Sequence, residues 1–399
     1  MVSPVNLLPA PPHCRYFEAG LCRSCTFIET PIQTQLDEKQ QRCADLLPQV
    51  PSDAWLAPVG GGVAGFRNRA KLAVGGVAGA VTLGILDRGG IGIDLTDCLI
   101  HEPEIQRVIP LLAAFTNDLG IAPYSVPKRA GELKYIHVTV SPAGELMVRF
   151  VVRSEGGLGA IRRRVDELRE LLPQATVISV NLLPEHKAVL EGEREEPLVG
   201  SALAMELGDG LEPVTLYLRP QSFFQTNTRV ALALYEQAAA WVDGVDPASL
   251  WDLYCGVGGF ALFTARSGPV GSGSGGVVRD VLGVELSEQA IRSAERSAEE
   301  AGIAARFLAG DATEFALAAA PAELPELVVV NPPRRGIGEA LADWIEGSAI
   351  PHVIYSSCNP ESLARDLARM PSLRVRSARL FDMFPHTGHL EVAVLLERA

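Results

Sequence analysis

An apolar run over Val353 to Ser356 leads into Ser357-Cys358-Asn359-Pro360, so a thiol is delivered to a turn at the carboxyl end of a predicted strand. Further on, Gly388-His389-Leu390-Glu391 opens a second apolar stretch that carries one carboxylate. A positioned cysteine followed by a lone glutamate suits covalent catalysis and then proton abstraction. A lone cysteine at a strand end is by itself more often core, and a lone edge-strand carboxylate is more often solvated. The reading as reacting groups therefore depends on what lies upstream of them.

Upstream, Asp252-Leu253-Tyr254-Cys255-Gly256-Val257-Gly258-Gly259 ends one predicted strand and opens a helix. Glycines at such a turn let a ligand approach the backbone at the carboxyl edge of a sheet. The spacing is not the full dinucleotide fingerprint, so the loop alone is weak evidence. The next predicted strand ends at Glu285, where an acidic side chain can accept from ribose hydroxyls. Together these features favour S-adenosylmethionine or a nucleotide cofactor over a purely structural sheet. Asp311 follows the third strand and is placed to approach an adenine; Asn331-Pro332-Pro333-Arg334-Arg335-Gly336 follows the Val328 to Val330 run into the same crevice. Asn-Pro-Pro followed by an aromatic residue is familiar from amino-methylating enzymes, and Arg334 in the aromatic's place weakens an N6-adenine reading.

With a methyl donor at hand, the thiol acquires a specific use. Uracil C5 is too poor a nucleophile to take a methyl group unaided. A thiolate adding to C6 activates C5, and a base must later remove the C5 proton so that the thiol can leave. A free cysteine has a pKa of ~8.5 and needs local help to ionise. The predicted helix after Asn359-Pro360 would offer Cys358 its amino end, which favours the thiolate. Glu391 is the expected proton acceptor.

The elements that must hold these groups fall into two halves. A chain of 399 residues fits two or three domains. After Arg219-Pro220, a helix over Thr228 to Val242 precedes a β-α alternation with strands centred on Leu250–Tyr254, Val281–Glu285, Ala305–Leu308, Leu327–Val330 and Val353–Ser356. That alternation predicts a parallel sheet with crossover helices, completed by antiparallel strands over Arg374 to Leu380 and Leu390 to Leu396. The stretch from Gly268 to Gly276 reads as a flexible insertion. The first half mixes strands (Phe66–Leu72, Val81–Ile85, Tyr135–Val140, Leu146–Val152, Thr176–Leu183) with helices over Pro31–Leu47, Glu104–Leu119 (with a kink or break at Pro110) and Leu158–Leu172. The expected fold class is α/β: a Rossmann-like methyltransferase domain preceded by an α+β central domain. The expected divisions are a cysteine-rich segment at 1–30, a central domain at 31–218 and a catalytic domain at 219–399.

Composition narrows the setting. No run approaches the ~20 apolar residues of a membrane span, and no secretory signal pattern opens the chain, so a cytoplasmic protein is expected. The net charge of −13 argues against indiscriminate nucleic-acid binding. Only five of the 35 basic residues are lysines. That skew fits arginine's ability to read phosphates and stack on bases, and equally fits genomic base composition. Phe66-Arg67-Asn68-Arg69-Ala70-Lys71 and Lys128-Arg129-Ala130-Gly131-Glu132-Leu133-Lys134-Tyr135 interleave cations with aromatics. Such patches suit RNA backbone and stacked bases, or simply a solvated strand face. The target base would have to leave its stack, with Phe223 or Phe224 placed to stack on it. Of seven cysteines, Cys14, Cys22 and Cys25 cluster early and Cys98 adds a fourth thiol. Four thiolates suit a structural zinc or a four-iron cluster, and spacing does not separate them. Cys43 and Cys255 read as core.

Five motifs occur in order: Arg219-Pro220-Gln221-Ser222-Phe223-Phe224-Gln225-Thr226-Asn227, the Asp252 to Gly259 loop, Asn331 to Gly336, Ser356-Ser357-Cys358-Asn359, and Phe384-Pro385-His386-Thr387-Gly388-His389-Leu390-Glu391. With them the whole chain closely resembles the RNA uracil-5-methyltransferases, in the short iron–sulfur branch acting on 23S ribosomal RNA. The resemblance implies Cys358 as nucleophile and Glu391 as base, with Gln225, Tyr254, Glu285 and Asn331 around S-adenosyl-L-methionine. It also implies a [4Fe-4S] cluster on Cys14, Cys22, Cys25 and Cys98, in a folding or RNA-positioning role. The expected partner is 23S rRNA, with a monomer and no membrane. Many relatives carry aspartate where Asn331 stands, and Gly259 replaces an asparagine seen in some. Two rival readings remain at this point: an N6-adenine methyltransferase, and a non-enzymatic iron–sulfur protein that binds RNA or senses redox state.

Overall fold

The computed structural model describes residues 11–187, 189–208, 213–266 and 279–399. The expected insertion at 268–276 lies outside the described residues. Two short helices open the chain, α1 (Arg15–Glu18) and α2 (Ile32–Leu46). A first sheet follows, built from β1 (Arg69–Val77), β2 (Ala80–Leu86), β3 (Gly92–Asp94), β4 (Leu133–Val140), β5 (Leu146–Val152), β6 (Ala175–Leu182) and β7 (Arg194–Val199). Its spatial order is β3-β2-β1-β4-β5-β6-β7. Helices α3 (Pro103–Leu119), α4 (Glu155–Arg163) and α5 (Val165–Leu171) connect the strands.

The period-2 alternation of β1, β4 and β5 explains the layering. Ala70, Leu72, Ile136, Val138, Val148 and Phe150 share a core with Ile105, Ile109 and Leu112 of α3. On the opposite face stand Arg69, Lys71, His137, Thr139 and Arg149. Helix α3 runs through Pro110 without the break that was one of the two expectations there. The proline ring lies on the exposed side, and burial of Val108, Ile109 and Leu112 outweighs the one backbone bond it removes. The helix expected over Leu158–Leu172 is instead two, interrupted at Arg164, whose backbone leaves the helical region. Strand β7 was not anticipated, because its sequence Arg-Glu-Glu-Pro-Leu-Val lacks an apolar alternation.

The hairpin β8 (Leu203–Leu207) and β9 (Val214–Leu218) buries its apolar side chains with α6 (Thr228–Val245) and the second half of the chain. There β10 (Ser249–Leu253), β11 (Asp280–Glu285), β12 (Ala305–Ala309), β13 (Leu327–Val330), β14 (His352–Ser357), β15 (Leu373–Phe381) and β16 (Glu391–Arg398) form the second sheet. Helices α7 (Gly259–Ala265), α8 (Glu288–Ala301), α9 (Ala312–Ala318), α10 (Gly338–Gly347) and α11 (Pro360–Ala368) alternate with its strands. The order is β12-β11-β10-β13-β14-β16-β15, parallel from β12 to β14, with β16 antiparallel to both its neighbours. The chain winds outward one way from β10 to β12 and the other way from β13. A crevice therefore opens where the winding reverses, at the carboxyl ends of the strands.

Helix α2 joins this second half. Leu36, Cys43 and Leu47 of α2 and its flank pack into the core beneath β13 to β16. Lys39 Nζ reaches Asp382 Oδ1 at 2.6 Å in a fully buried pair. Segment 55–59 runs along edge strand β15, with Leu56 and Val59 donating to Ala378 and Leu380. Both devices pin the start of the chain beside the loop that precedes Glu391. Among the described residues no helix is long and apolar enough to cross a membrane.

Candidate active site

A cavity of about 480 Å³ fills the crevice, and Gln225, Tyr254, Glu285, Asn331, Cys358 and Glu391 all line it. Tyr254, Glu285, Asn331 and Cys358 each end or follow a parallel strand, Glu391 begins the antiparallel β16 at the same edge, and Gln225 comes from the loop between β9 and α6. Tyr254, the first residue after β10, adopts a left-handed φ of 67°. That is an uncommon conformation for a bulky residue, and it turns the chain sharply into the glycine loop. Its hydroxyl lies 3.2 Å from Thr313 Oγ1. Glu285 accepts from Gly256 N at 3.3 Å and from Ser287 N at 2.9 Å, which ties the ends of β10 and β11 together. Asp311 lines the same wall and caps α9 through Thr313 N and Glu314 N. At Gly259 a Cβ would sit 2.6 Å from the Tyr235 ring, so no side chain fits there.

Cys358 and Glu391, the expected reacting pair, both line this cavity. Glu391 begins β16, which lies between β14 and β15, and it is 1% exposed. Its Oε1 accepts from Ser356 Oγ at 2.5 Å and from Asn331 Nδ2 at 3.0 Å, while Asn331 also donates to Ser356 O at 3.2 Å. Burial pushes the Glu391 carboxyl up to about 7, and the two donors oppose that shift. The thiol of Cys358 is pushed up by burial first and by Glu391 second. The charge and hydrogen bond of Arg334 work the other way. The helix expected after Asn359-Pro360 is present as α11, and Cys358 stands just before its cap. Asn359 caps α11 by accepting from Glu361 N at 3.1 Å, and the cation facing the thiol is Arg334. Asn359 Nδ2 donates to Arg334 O at 3.1 Å and anchors that loop. Sequence reasoning put the Arg334 loop in the crevice but gave its charge no role, because Arg334 follows β13 and the thiol follows β14.

Asn331 donates to Glu391, and this explains what an uncharged amide does there. An aspartate would place a second carboxylate against the first and raise the Glu391 pKa further. Asn331→Asp is expected to move the acid limb of the kcat–pH profile upward by roughly one unit; an unshifted limb would show that Asn331 does not bear on this proton.

The 219–227 loop forms the rim. Phe224 is buried, whereas Phe223 is 72% exposed and lines the cavity mouth. Asn68, just before β1, donates to Gln225 O at 3.0 Å and to Thr228 Oγ1 at 2.7 Å, which holds Gln225 against the crevice. No periodicity argument could have found Asn68, since its partners lie far along the chain.

The four early thiols are gathered from two segments. Arg15 Nη2 reaches Asp97 Oδ1 at 2.7 Å, and the Tyr16 hydroxyl bonds to the same oxygen. Cys25 is pushed up to about 12 by burial, then by Cys98, Cys22 and Cys14. Among the described residues no three His, Cys, Asp or Glu side chains form a set that holds a metal ion. Cys14, Cys22 and Cys98 are all near enough to Cys25 to act on its charge. Of the two basic patches, the second is partly spent internally: Lys134 is buried, donates to Glu185 O at 2.5 Å and lies over the Tyr124 ring.

Sheet order and crevice define a Rossmann-like S-adenosylmethionine-dependent methyltransferase fold. The solved tRNA (uracil-54, C5)-methyltransferase of Pyrococcus abyssi, in complex with S-adenosyl-L-homocysteine, matches with a TM-score of 0.75 at 24% identity. That match covers 94% of this chain and 84% of the other. The tRNA (Uracil-5-)-methyltransferase family model matches residues 214–399. The 23S rRNA (uracil(747)-C(5))-methyltransferase RlmC of Pectobacterium atrosepticum is 43% identical over 389 residues, spanning 97% of this chain and 100% of its own. Its namesake from Yersinia pseudotuberculosis is 44% identical over 386 residues, spanning 96% and 99%. The chain belongs to the RNA uracil-5-methyltransferase family.

Proposed function

We propose that this protein methylates C5 of a uridine in 23S rRNA, the target being the uridine named for its relatives at position 747. The observation that carries the reading is the meeting of Cys358, Glu391 and the Gly256–Glu285–Asn331 wall in one cavity. That cavity's volume suits a cofactor-sized ligand plus one inserted base. Its carboxylates, amide and glycine turn fit the ribose, adenine and amino-acid parts of S-adenosylmethionine, which when bound supplies an electrophilic methyl group. Gln225, Tyr254, Glu285 and Asn331 are assigned to hold it. Cys358, with Arg334 beside it, adds its sulfur to C6 of the flipped uracil, and electron density moves to C5. Once C5 carries the methyl group, Glu391 takes the C5 proton and the C6–S bond breaks, returning the thiolate. Phe223 is placed to stack on the extruded base.

Labelled methyl from S-adenosylmethionine, mapped on an unmodified 23S transcript, tests this reading. One m5U at the named position is the expected result. Methyl on adenine N6, or none on RNA, would reject it in favour of the rival methyltransferase or of a binding protein.

The threefold division of the chain at 30 and 218 is kept as part of this proposal, as are action as a monomer and a cytoplasmic location in keeping with an rRNA substrate. We also propose that Cys14, Cys22, Cys25 and Cys98 hold a [4Fe-4S] cluster. The proximity of the four thiols, two of which (Cys25 and Cys98) are pushed up by burial and by the neighbouring sulfurs, supports it. The cluster would fasten the 14–25 segment to the 98 loop, and no step of methyl transfer passes through it. Anaerobically purified protein should contain about four iron and four sulfide per chain, and Cys98→Ser should lose both. Stoichiometric zinc without sulfide would overturn the assignment.

A further inference from the structure

The face of the first sheet turned away from α3 carries a second, smaller cavity of about 150 Å³ that adjoins the active-site rim. Register explains its lining. Lys71 pairs with His137 and His137 with Arg149, so three basic side chains on adjacent strands stand in one row; Arg69 and Thr139 form the next. Phe223 lines both this pocket and the catalytic cavity, so the two are separated by one exposed aromatic ring.

The pocket is under-satisfied. His137 is 5% exposed and its Nε2 has no hydrogen-bond partner, and Arg69 Nη2 is likewise buried and unpartnered. The rest of Arg69 is spent on Thr139 Oγ1 at 2.9 Å and on Ser222 O at 3.2 Å, which aims the guanidinium along the loop bearing Phe223. Arg149 is held from behind by Glu195, with Nε at 2.9 Å from Oε2, and also bonds Glu191. Burial and the charge of Arg149 hold the Arg69 guanidinium down to about 10. Buried donors without acceptors and mutually repelling cations are costly unless an anion answers them. Glu191 is the carboxylate that lines the pocket, bonded to Arg149, and its side chain is 42% exposed and can be displaced toward solvent. A pocket this small excludes a nucleoside but admits a phosphate group.

We infer that this pocket seats one phosphodiester of the substrate RNA next to the target nucleotide, with Glu191 as the carboxylate it displaces. The inference rests on the proposed RNA substrate and deepens it. Phosphate capture by Arg69, Lys71 and Arg149 on one side of Phe223 would hold the backbone while the base enters on the other side.

Binding of an unmodified 23S rRNA hairpin, measured across a salt series, tests this. Arg69→Gln and Lys71→Gln should each weaken binding about tenfold and reduce the slope of log affinity on log salt by about 0.7. They should raise KM for RNA with little change in kcat. Glu191→Gln, which removes the competing carboxylate, should tighten binding roughly threefold. A neutral methylphosphonate at one position near the target should reproduce the Arg69→Gln loss and not add to it. Retained S-adenosylhomocysteine binding certifies each fold; should Arg69→Gln lose it, exposed Lys71 and Glu191 decide. Unchanged affinity and slope in Lys71→Gln, or weaker binding in Glu191→Gln, would overturn the inference. Inorganic phosphate that competes for binding without any such single methylphosphonate position would mark an adventitious anion site, and would overturn it too. If the variants behave as stated while wild type methylates no uridine in the hairpin, the pocket stands and the substrate reading falls.

Discussion

Cys358→Ala is expected to reduce methyl transfer below about 10⁻⁴ of wild type. Wild-type protein should form a gel-stable adduct with 5-fluorouridine RNA, and the variant should form none. The reason is atomic. The thiolate that adds to C6 must leave again, and departure requires loss of a proton from C5. Fluorine at C5 cannot be removed as a cation, so the C6–S bond persists after methyl transfer. The substitution removes one partly buried sulfur at the amino side of α11, whose cap is the Asn359 side chain and not the thiol. Folding should survive it, and S-adenosylhomocysteine binding can confirm that. An adenine N6 enzyme would tolerate the same change. Absence of an adduct in wild type would reject covalent catalysis outright.

Glu391→Gln should stop the reaction one step later. Glutamine can accept from Ser356 and Asn331 as the carboxylate does, so the floor of the site is kept while the base is lost. Methyl transfer would then proceed once per chain, the adduct with ordinary RNA would accumulate, and turnover would fall about 10³-fold. Immediate release of methylated RNA at the wild-type rate would remove Glu391 from the mechanism. Because burial raises this carboxyl to about 7 from its ordinary 4.5, turnover should climb as pH rises through about 7. Stability runs in the opposite sense. The native state binds this proton more tightly than the unfolded chain, so the associated stability is present below the unfolded pKa and is lost as pH rises toward about 7. Glutamine escapes that loss. Glu391→Gln should therefore melt higher than wild type above neutral pH and equal it near pH ~4, as calorimetry across that range would show.

Much of the catalytic half could be read along the chain because its signals are local. An apolar strand ending in a glycine turn, in Glu285, in Asn331 or in Cys358 announces both an element and the residue at its tip. Winding rules then bring all those tips to one edge. The first half was less legible. Strand β7 reads as charged because its partner supplies the burial, and Arg164 divides a helix that its amphipathic pattern predicts as one. Arg334 could be named from sequence but not aimed, since only the 358–359 turn decides what its charge faces.

Residue types and their spacing by themselves determined that a thiol, a carboxylate and a cofactor crevice belong to one chain. They also singled out four cysteines as neighbours. Tertiary structure decided the state of those groups: a Glu391 carboxyl buried beside Ser356 and Asn331, a thiol facing Arg334, and Phe223 outside with Phe224 inside. It also decided that Arg69, His137 and Arg149 stand together beside the rim. Those properties come from desolvation and from contacts between residues far apart in sequence, and a linear pattern holds no record of either.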